Sequence, residues 1–227
     1  MERKRIGVLL SGSGVQDGSE IHEAVLALLA LDRADVEIVC LAPDRNQMDV
    51  VDHRTGKPVP ETRNILAESA RIARGEIRSI TEVDPKHLDG LVIPGGFGAA
   101  KNLCTFARDG ADCTVDPDVS RLLTGLYRAG KPIAALCIAP TILAALFGKD
   151  ESPEVTIGTD AGVAAALGTM GARHREAGTT EVVVDRKNRF VTTPCYMSAT
   201  RIREIEAGVT GAVRELLALA EASPATV

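Results

Sequence analysis

The sequence has no run of basic residues and no excess of positive charge. Its 26 Lys and Arg residues are outnumbered by 31 Asp and Glu residues, the formal net charge is −5 at pH 7, and the basic residues are scattered along the chain. Proteins that bind nucleic acids usually concentrate Lys and Arg on one face to contact phosphates. We therefore expect no nucleic-acid partner.

Long apolar runs are also missing. No stretch approaches the roughly 20 apolar residues that a helix needs to cross a bilayer. The N-terminal stretch "MERKRIGVLLSGSG" has too short an apolar core for a signal peptide. These two absences predict no membrane partner and a cytoplasmic location.

The cysteines lack the spacing of a metal site or a disulfide framework. No C-x-x-C pair and no cluster with histidine occurs among the five cysteines, which are Cys40, Cys104, Cys113, Cys137 and Cys195. Such patterns are the usual sequence signals of zinc sites and of disulfide-rich domains. We therefore expect reduced thiols, no metal ion and no disulfide.

The composition that is present is that of a globular protein. Hydrophobic residues make up 45% of the 227 residues and charged residues 25%. Disordered chains have fewer aliphatic residues and a larger net charge. A chain of this length can bury one sizeable core, so we expect a single domain over residues 1–227.

Short apolar segments alternate with helical patterns along the chain. The apolar segments end in turn signals and lie at 5–10, 36–43, 90–96, 132–137 and 153–158. Patterns with helical period lie at 19–34, 62–74, 116–129, 139–147, 161–170 and 198–221. Strands that alternate with helices form parallel sheets covered on both faces. The sequence therefore predicts an α/β sandwich with a mostly parallel sheet flanked by helices.

Three segments depart from this alternation. Two β-rich runs flank "DRKN" in residues 181–194 and predict a β-hairpin, which would add antiparallel strands. The 20 residues at 44–63 are long for a plain connection and predict either a functional loop or a small β excursion. The final "SPATV", residues 223–227, is predicted to fray.

The stretch "KPIAALCIAP" places Cys137 where a strand turns into a helix. In a parallel sheet, the carboxyl ends of the strands face the crevice in which ligands bind. A sharp strand-to-helix turn exposes a nucleophile only when the residues two before and two after it are small. Here they are Ala135 and Ala139, and Pro140 suits the first turn of a helix. The segment predicts a nucleophile elbow.

The position of Cys137 also predicts a reactive thiol. The positive end of a helix dipole lowers the pKa of a thiol from about 8.5 toward neutrality and favours the thiolate. The competing interpretation is that Cys137 is a small buried apolar residue, as most cysteines are. The elbow and its flanking alanines favour the functional interpretation.

Backbone donors for an oxyanion are available near the elbow. The N–H group of Ile138 follows the nucleophile directly, and Gly96 belongs to "PGGFG", which ends the neighbouring strand. Glycines allow backbone N–H groups to approach a ligand closely. We predict an oxyanion hole from Ile138 and Gly96, although a tight turn would also explain these glycines.

The loop after the first strand offers acid–base groups. Glu20 and Glu23 lie one helical turn apart on one face, and His22 points elsewhere. Either Glu20 or His22 is a candidate base. Alternatively, Glu20 and Glu23 complement the dipole at a helix N-terminus.

Several long strings of the sequence resemble one protein family. The strings "AALCIAP", "IPGGFGAAKNL" and "GVLLSGSGVQDGSEIHEA" closely resemble the ElbB glyoxalase family with its ES-one-like eukaryotic relatives. That family lies within the PfpI-like, class I glutamine amidotransferase-like superfamily. The similarity covers roughly residues 4–222 and includes "VTTPCYM".

The resemblance implies a flavodoxin-like sandwich that forms a homodimer. It implies that Cys137 is the nucleophile, that the Glu20 carboxyl contacts its sulfur, and that Gly95 and Asn102 bind substrate. It also implies glyoxalase activity on a small dicarbonyl, converting glyoxal to glycolate with neither glutathione nor another cofactor. Many members of the superfamily have His directly after the nucleophile, whereas this chain has Ile138.

Three other functions would also use a reactive cysteine. A redox sensor or interaction protein would use oxidation of Cys137, and a deglycase would repair glycated molecules at the same site. A glutaminase would need His-x-Glu after the last strand, but His174 and Glu176 precede the 181–194 hairpin. The leading hypothesis is a Cys137 hemithioacetal formed from glyoxal.

Overall fold

The computed structural model describes residues 3–222. Its strands are β1 Arg5–Leu9, β2 Glu37–Ala42, β3 Val50–Asp52, β4 Lys57–Val59, β5 Arg78–Ser79, β6 Gly90–Ile93, β7 Ile133–Leu136, β8 Glu154–Val155, β9 Arg173–His174, β10 Val183–Asp185 and β11 Phe190–Thr193. Its α-helices are α1 Ile21–Arg33, α2 Ile65–Ile72, α3 Phe106–Asp109, α4 Pro117–Arg128, α5 Pro140–Glu151, α6 Ala161–Thr169 and α7 Ile202–Glu221. The predicted fraying tail, 223–227, lies outside the described residues.

Seven strands form the main sheet, in the order β10-β11-β7-β6-β1-β2-β5. All neighbouring pairs run parallel except β10 and β11, which pair antiparallel with Val183 opposite Thr192. This confirms the mostly parallel sheet and the predicted hairpin. The segment 44–63 contains the small antiparallel pair β3 and β4. Of the two alternatives predicted for this segment, the structure has the small β excursion.

The sheet differs from the sequence prediction at two places. The apolar segment 153–158 contributes only the short β8, which pairs with β9 outside the main sheet. The edge strand β5 was not predicted, because two residues, Arg78 and Ser79, carry no detectable alternation of polar and apolar side chains.

Helices cover both faces of the sheet. In β7, Ala134 and Leu136 pack with α1, α2 and α7, while Ile133 and Ala135 pack with α4 and α5 on the opposite face. Successive side chains of a strand point to opposite faces, so a strand buried on both faces is apolar throughout. The fold is therefore the predicted flavodoxin-like α/β sandwich of three layers.

The loops after β1 and β6 are joined by main-chain hydrogen bonds at the carboxyl edge of the sheet. The N–H group of Glu20 donates to the carbonyl of Gly95 (2.9 Å), that of Phe97 to Val15 (2.7 Å), and that of Gly98 to Gly18 (2.9 Å). These bonds bring the start of α1 beside the end of β6. Within residues 3–222, no helix has both the length and the apolar character that a membrane crossing requires.

An aromatic cluster between the sheet and α4 and α5 provides a test of core packing. Phe190 is fully buried and its ring centroid lies 5.7 Å from that of Tyr127 and 5.3 Å from that of Phe147. Truncating a buried Phe to Ala leaves a cavity and costs about 3–5 kcal/mol. We expect Phe190→Ala to lower the free energy of unfolding by that amount in urea titrations. Phe97→Ala, the same change at a side chain that is 48% exposed, is the control and should cost far less.

Candidate active site

Cys137 lies at a sharp turn between β7 and α5. Its backbone has φ of 59°, in the left-handed region that residues other than glycine rarely adopt. The N–H group of Cys137 donates to the carbonyl of Thr193 on β11 (3.0 Å), and that of Ala139 donates to Leu136 (2.9 Å). Ala135 and Ala139 are fully buried. The structure thus has the predicted elbow, and its strained residue is the nucleophile candidate.

Two backbone N–H groups point at the sulfur of Cys137. They belong to Gly96 and Ile138, and both favour the ionised thiol. Gly96 has φ of 92°, so a side chain would be strained there, and a Cβ atom would also lie 2.5 Å from the carbonyl oxygen of Gly18. The structure therefore brings the two predicted oxyanion-hole residues together at the nucleophile.

The carboxyl group beside the sulfur belongs to Glu23, not to Glu20. Glu23 is fully buried, its Oε2 accepts a hydrogen bond from the N–H of Gly95 (2.8 Å) and its Oε1 from that of Tyr196 (3.3 Å). The same carboxyl interacts with the Cys137 thiol. The structure thus corrects the role that the resemblance gave to Glu20.

Glu20 is the N-cap of α1. Its backbone is extended, with φ of −64° and ψ of 121°, and its Oε2 accepts the N–H of Glu23 at 2.7 Å. This is the usual geometry of a capping side chain, which folds back over the first helical turn. Glu23 lies three residues further on and reaches the edge of the sheet instead. Glu20 thus positions the helix that carries Glu23.

The ionisation of Glu23 and Cys137 is governed by burial. Burial raises the pKa of Glu23 to about 7, and the nearby charge of Glu20 adds to this effect. Burial, followed by the negative charge of Glu23, raises the pKa of the Cys137 thiol well above its ordinary value.

The prediction of a lowered thiol pKa is therefore wrong. A helix dipole stabilises a charge by about 0.3–1 kcal/mol, which corresponds to less than about one pKa unit. Full burial raises the pKa of an acidic group by up to roughly 3–5 units and is therefore the larger effect. Thiolate becomes accessible when Glu23 takes the proton of the thiol, because that transfer removes the adjacent negative charge.

His22 does not reach the sulfur. Its half-exposed ring has Nδ1 2.7 Å from the hydroxyl of Tyr196 and 3.8 Å from Oε1 of Glu20. Tyr196 lines the pocket in front of Cys137, and its backbone N–H holds Glu23. His22 thus contacts the pocket lining through Tyr196, a residue to which sequence reasoning assigned no role. The string "VTTPCYM", which carries Tyr196 just after β11, was the available signal.

The two predicted substrate-binding residues have other partners. The Asn102 side chain is buried, donates to the carbonyls of Ser11 and Asp17 (2.9 Å each) and accepts the N–H of Met48 (2.9 Å). Its amide is therefore used to join loops. The N–H of Gly95 is used by Glu23, so neither residue offers a free group to a substrate.

Gly95 instead provides space. A Cβ atom at this position would overlap that of Cys137 and would lie 2.8 Å from Oε2 of Glu23 and 3.0 Å from Sγ of Cys137. Real Cβ atoms do not approach other atoms this closely, so the acid and the thiol can be neighbours only if residue 95 has no side chain.

A pocket of about 400 Å³ opens in front of Cys137. Its walls come from the loops after β1, β6 and β11, from the turn between β7 and α5, and from α3 and the start of α6. They consist of Val15, Gly96, Phe97, Ala100, Phe106, Ala107, Cys137, Ile138, Asp160, Val163, Tyr196 and Met197. A larger cavity of about 600 Å³ lies against α7, but its lining residues include no thiol. Thiols also line a cavity of about 460 Å³ (Cys104) and one of about 230 Å³ (Cys40), but neither thiol lies at a strand-to-helix elbow with a carboxyl group acting on it. The pocket in front of Cys137 is therefore the candidate active site.

His174 is placed away from the elbow in β9. Its Nε2 accepts the N–H of Ile157 at 3.4 Å, which gives the ring a structural role. The exclusion of a glutaminase triad with His174 and Glu176 agrees with this position. The Cys137 thiol lies beside a buried carboxyl group. Within the described residues, no imidazole forms a hydrogen bond with this thiol.

A known protein family combines a parallel α/β sandwich with a cysteine elbow and a buried acid, and this chain is similar to it in sequence and in fold. The model of the DJ-1/PfpI family matches residues 8–194. The chain is 45% identical to the ES1 protein homolog, mitochondrial, of Rattus norvegicus, over 96% of this chain and 84% of that protein. The chain belongs to the DJ-1/PfpI family.

Two further relatives support this assignment. The chain is 44% identical to human glutamine amidotransferase-like class 1 domain-containing protein 3, mitochondrial, over 95% of this chain and 83% of that protein. It is 38% identical to a solved isoprenoid biosynthesis protein with amidotransferase-like domain from Ehrlichia chaffeensis, with a TM-score of 0.88 over 94% of this chain and 99% of that one.

The predicted cytoplasmic location is contradicted by these relatives. The rat and the human protein are both named mitochondrial. Location depends on targeting segments and not on the fold, so the composition of the folded part could not support the prediction.

The raised pKa of Glu23 predicts a pH-dependent contribution to stability. The unfolded chain releases this proton near pH 4.5 and the folded protein near pH 7. The stabilisation is therefore complete below pH 4.5 and is lost as the pH rises to 7, by roughly 3 kcal/mol in total. We expect the free energy of unfolding of the wild type, relative to Glu23→Gln, to fall by about this amount between these pH values in urea titrations. A difference that does not change with pH would contradict the raised pKa.

Proposed function

We propose that this protein is a cofactor-independent glyoxalase that converts glyoxal to glycolate, and that it belongs to the ElbB group within its family. The observation that supports the proposal best is the pairing of Cys137 with the buried acid Glu23 under two backbone N–H groups, at the wall of an accessible pocket. A thiol, a base and an oxyanion hole are the groups that aldehyde capture requires.

The first step is activation of the thiol. Glu23, whose pKa is about 7, takes the proton of Cys137, and the N–H groups of Gly96 and Ile138 stabilise the thiolate. A base with a pKa near the working pH combines the correct protonation state with a useful driving force. Glu23 therefore replaces Glu20 and His22 as the base in this mechanism.

Addition to an aldehyde carbon follows. The sulfur forms a bond to one carbon of glyoxal, and the carbonyl oxygen becomes an oxyanion. The N–H groups of Gly96 and Ile138, which are fixed by the backbone before substrate binds, stabilise this charge without reorganisation. Glu23 returns the proton that it took from the thiol to this oxygen. The product of this step is a neutral hemithioacetal on Cys137, and Glu23 is again a carboxylate that can act as a base.

Proton transfer between the two carbons completes the reaction. Glu23 removes the hydrogen of the sulfur-bearing carbon as a proton and returns it to the second carbon through an enediol. The first carbon is oxidised to a thioester and the second is reduced to an alcohol. Water then cleaves the thioester, which releases glycolate and restores the thiol.

The homodimer implied by the resemblance stays a prediction.

Replacing the nucleophile tests the proposal directly. Cys137→Ser should reduce glyoxal consumption to background, because a serine hydroxyl at this position is not ionised by Glu23. The measurement is loss of glyoxal and formation of glycolate. Cys113→Ser, at a partly buried thiol that does not line the pocket, is the matched control and should retain the wild-type rate.

Equal rates for wild type and Cys137→Ser would remove Cys137 from the mechanism. If the wild type consumes no glyoxal and mild peroxide modifies Cys137 reversibly in mass spectra, the redox-sensor alternative is favoured instead.

The two acids of α1 should differ sharply in their effects. Glu23→Gln removes the base and should lower kcat for glyoxal by at least about 100-fold, since general acid–base catalysis contributes roughly 10²–10⁴-fold. Glu20→Gln keeps an oxygen that accepts the N–H of Glu23, so its activity should stay within a few-fold of wild type. A larger loss in Glu20→Gln than in Glu23→Gln would restore the role that the resemblance assigned to Glu20.

A further inference from the structure

The reaction at Cys137 needs a proton donor besides Glu23. When Glu23 removes the hydrogen of the sulfur-bearing carbon, the electrons of that bond form a carbon–carbon double bond, and the second carbonyl oxygen gains a negative charge. The N–H groups of Gly96 and Ile138 point at the sulfur and therefore serve the oxygen on the carbon bonded to it. An acid elsewhere in the pocket has to protonate the second oxygen.

Three of the side chains that line the pocket, within the described part of the chain, are titratable. They belong to Cys137, Asp160 and Tyr196. The sulfur of Cys137 is bonded to substrate at this stage. Asp160 caps α6, where its Oδ1 accepts the N–H of Val163 at 2.8 Å, and a capping carboxylate is an acceptor that offers no proton. The hydroxyl of Tyr196 is the remaining donor.

Tyr196 is held at the pocket wall from two sides. It lies in the single helical turn Cys195–Met197 after β11, and its N–H group donates to Oε1 of Glu23 at 3.3 Å. Its hydroxyl oxygen lies 2.7 Å from Nδ1 of His22, and the centroids of the two rings are 5.8 Å apart. The backbone bond therefore places Tyr196 beside the acid that moves the carbon-bound proton, and His22 fixes the far end of its side chain.

The surroundings of Tyr196 favour a hydroxyl that carries its proton. Burial raises the pKa of Tyr196, and the negative charges of Glu20 and Glu23 add to this effect. The oxygen of an enediolate is itself strongly basic, so a phenol can protonate it. The Nδ1–H of His22 can then donate to the phenolate that remains, and hydrogen bonds to a charged group are the stronger kind.

We propose that Tyr196 is a catalytic residue that gives a proton to the second oxygen of the substrate, and that His22 is a positioning residue that holds and stabilises the Tyr196 oxygen. This inference rests on the proposed function, because it adds a residue to the same reaction. It gives a role to His22 that does not require contact with the sulfur.

The protons in this scheme balance within the site. Tyr196 protonates the second oxygen as Glu23 takes the proton of the sulfur-bearing carbon, which forms a neutral enediol and a phenolate. Glu23 then protonates the second carbon. The hydroxyl on the sulfur-bearing carbon, which is a neighbour of the second oxygen in a cis enediol, gives its proton to the phenolate, and its electrons form the thioester carbonyl. One carbon is oxidised and the other reduced, so no external oxidant or reductant is needed.

Removing the hydroxyl tests the role of Tyr196. Tyr196→Phe keeps the ring and the N–H group that donates to Glu23, so kcat for glyoxal should fall by at least about 100-fold while KM changes little. Tyr127→Phe is the matched control. It removes the hydroxyl of the other tyrosine in the chain, which donates to Asn188 at 3.1 Å and lies outside the pocket lining, and it should retain the wild-type kcat.

Two further measurements on Tyr196→Phe separate catalysis from a structural role. Alkylation of Cys137 by iodoacetamide, followed by mass spectrometry, should be as fast as in wild type, because Glu23 and the N–H groups at the sulfur are retained. With glyoxal deuterated at both carbons, the variant should show a primary isotope effect on kcat, since removal of the carbon-bound hydrogen becomes rate-limiting. Slower alkylation, or the lack of an isotope effect, would overturn the assignment.

A pair of variants tests the role of His22. His22→Leu removes the donor and should lower kcat for glyoxal roughly tenfold, the value of one hydrogen bond to a charged group. His22→Asn places an amide N–H near the position of Nδ1 and should recover most of this loss. The side chain is half-exposed, so neither change disturbs the core. Equal losses in the two variants, or no loss in His22→Leu, would show that His22 does not position the hydroxyl.

Failure of this inference can be told from failure of the proposed function. If wild type converts glyoxal and Tyr196→Phe keeps the wild-type kcat, Tyr196 is not the acid, while the glyoxalase stands. If wild type does not convert glyoxal, the proposed function fails together with the inference.

Discussion

The interaction between the Glu23 carboxyl and the Cys137 thiol determines how the site can work. Both groups are buried and burial penalises each charged form, so the pair holds one negative charge and one proton only above about pH 7, where Glu23 is ionised and the thiol is not. Moving that proton from sulfur to oxygen creates the nucleophile without bringing a new charge into the protein. The backbone N–H groups of Gly95, Gly96 and Ile138 surround the pair and stabilise its charge in either location. Until Glu23 accepts this proton, its negative charge helps to keep the thiol protonated.

The parallel sheet explains why these groups meet. Cys137 follows β7, Gly95 and Gly96 follow β6, and Glu23 lies in the first turns of the helix after β1. These strands are neighbours, and the carboxyl ends of parallel strands share one edge. Tyr196 follows β11, the next strand, and completes the wall with its N–H on Glu23. Long-range contacts therefore build the site from short segments that are distant in sequence.

The sequence predicted those parts of the fold and site that have a local signal. The strand–helix alternation, the hairpin and the elbow at Cys137 follow from periodicity and from small residues at fixed offsets. The choice between Glu20 and Glu23 had no such signal, because it depends on which of two acids one turn apart caps the helix. The thiol pKa was predicted with the wrong sign, since burial is a tertiary property and outweighs the helix dipole. Asn102 was assigned to substrate for the same reason: its partners Ser11, Asp17 and Met48 come from other loops.

At the junction of the loops after β1 and β6, the backbone and the side chain of one residue serve different purposes. Val15 and Phe97 hold the loops in register through the carbonyl of one and the N–H of the other, while their side chains face the pocket. Any residue but proline can supply the same N–H group at position 97. Substitutions at these two positions can therefore retune which molecules are admitted while the reactive centre keeps its shape. The choice of ligand and the reactivity of the thiol can therefore be altered independently in this fold.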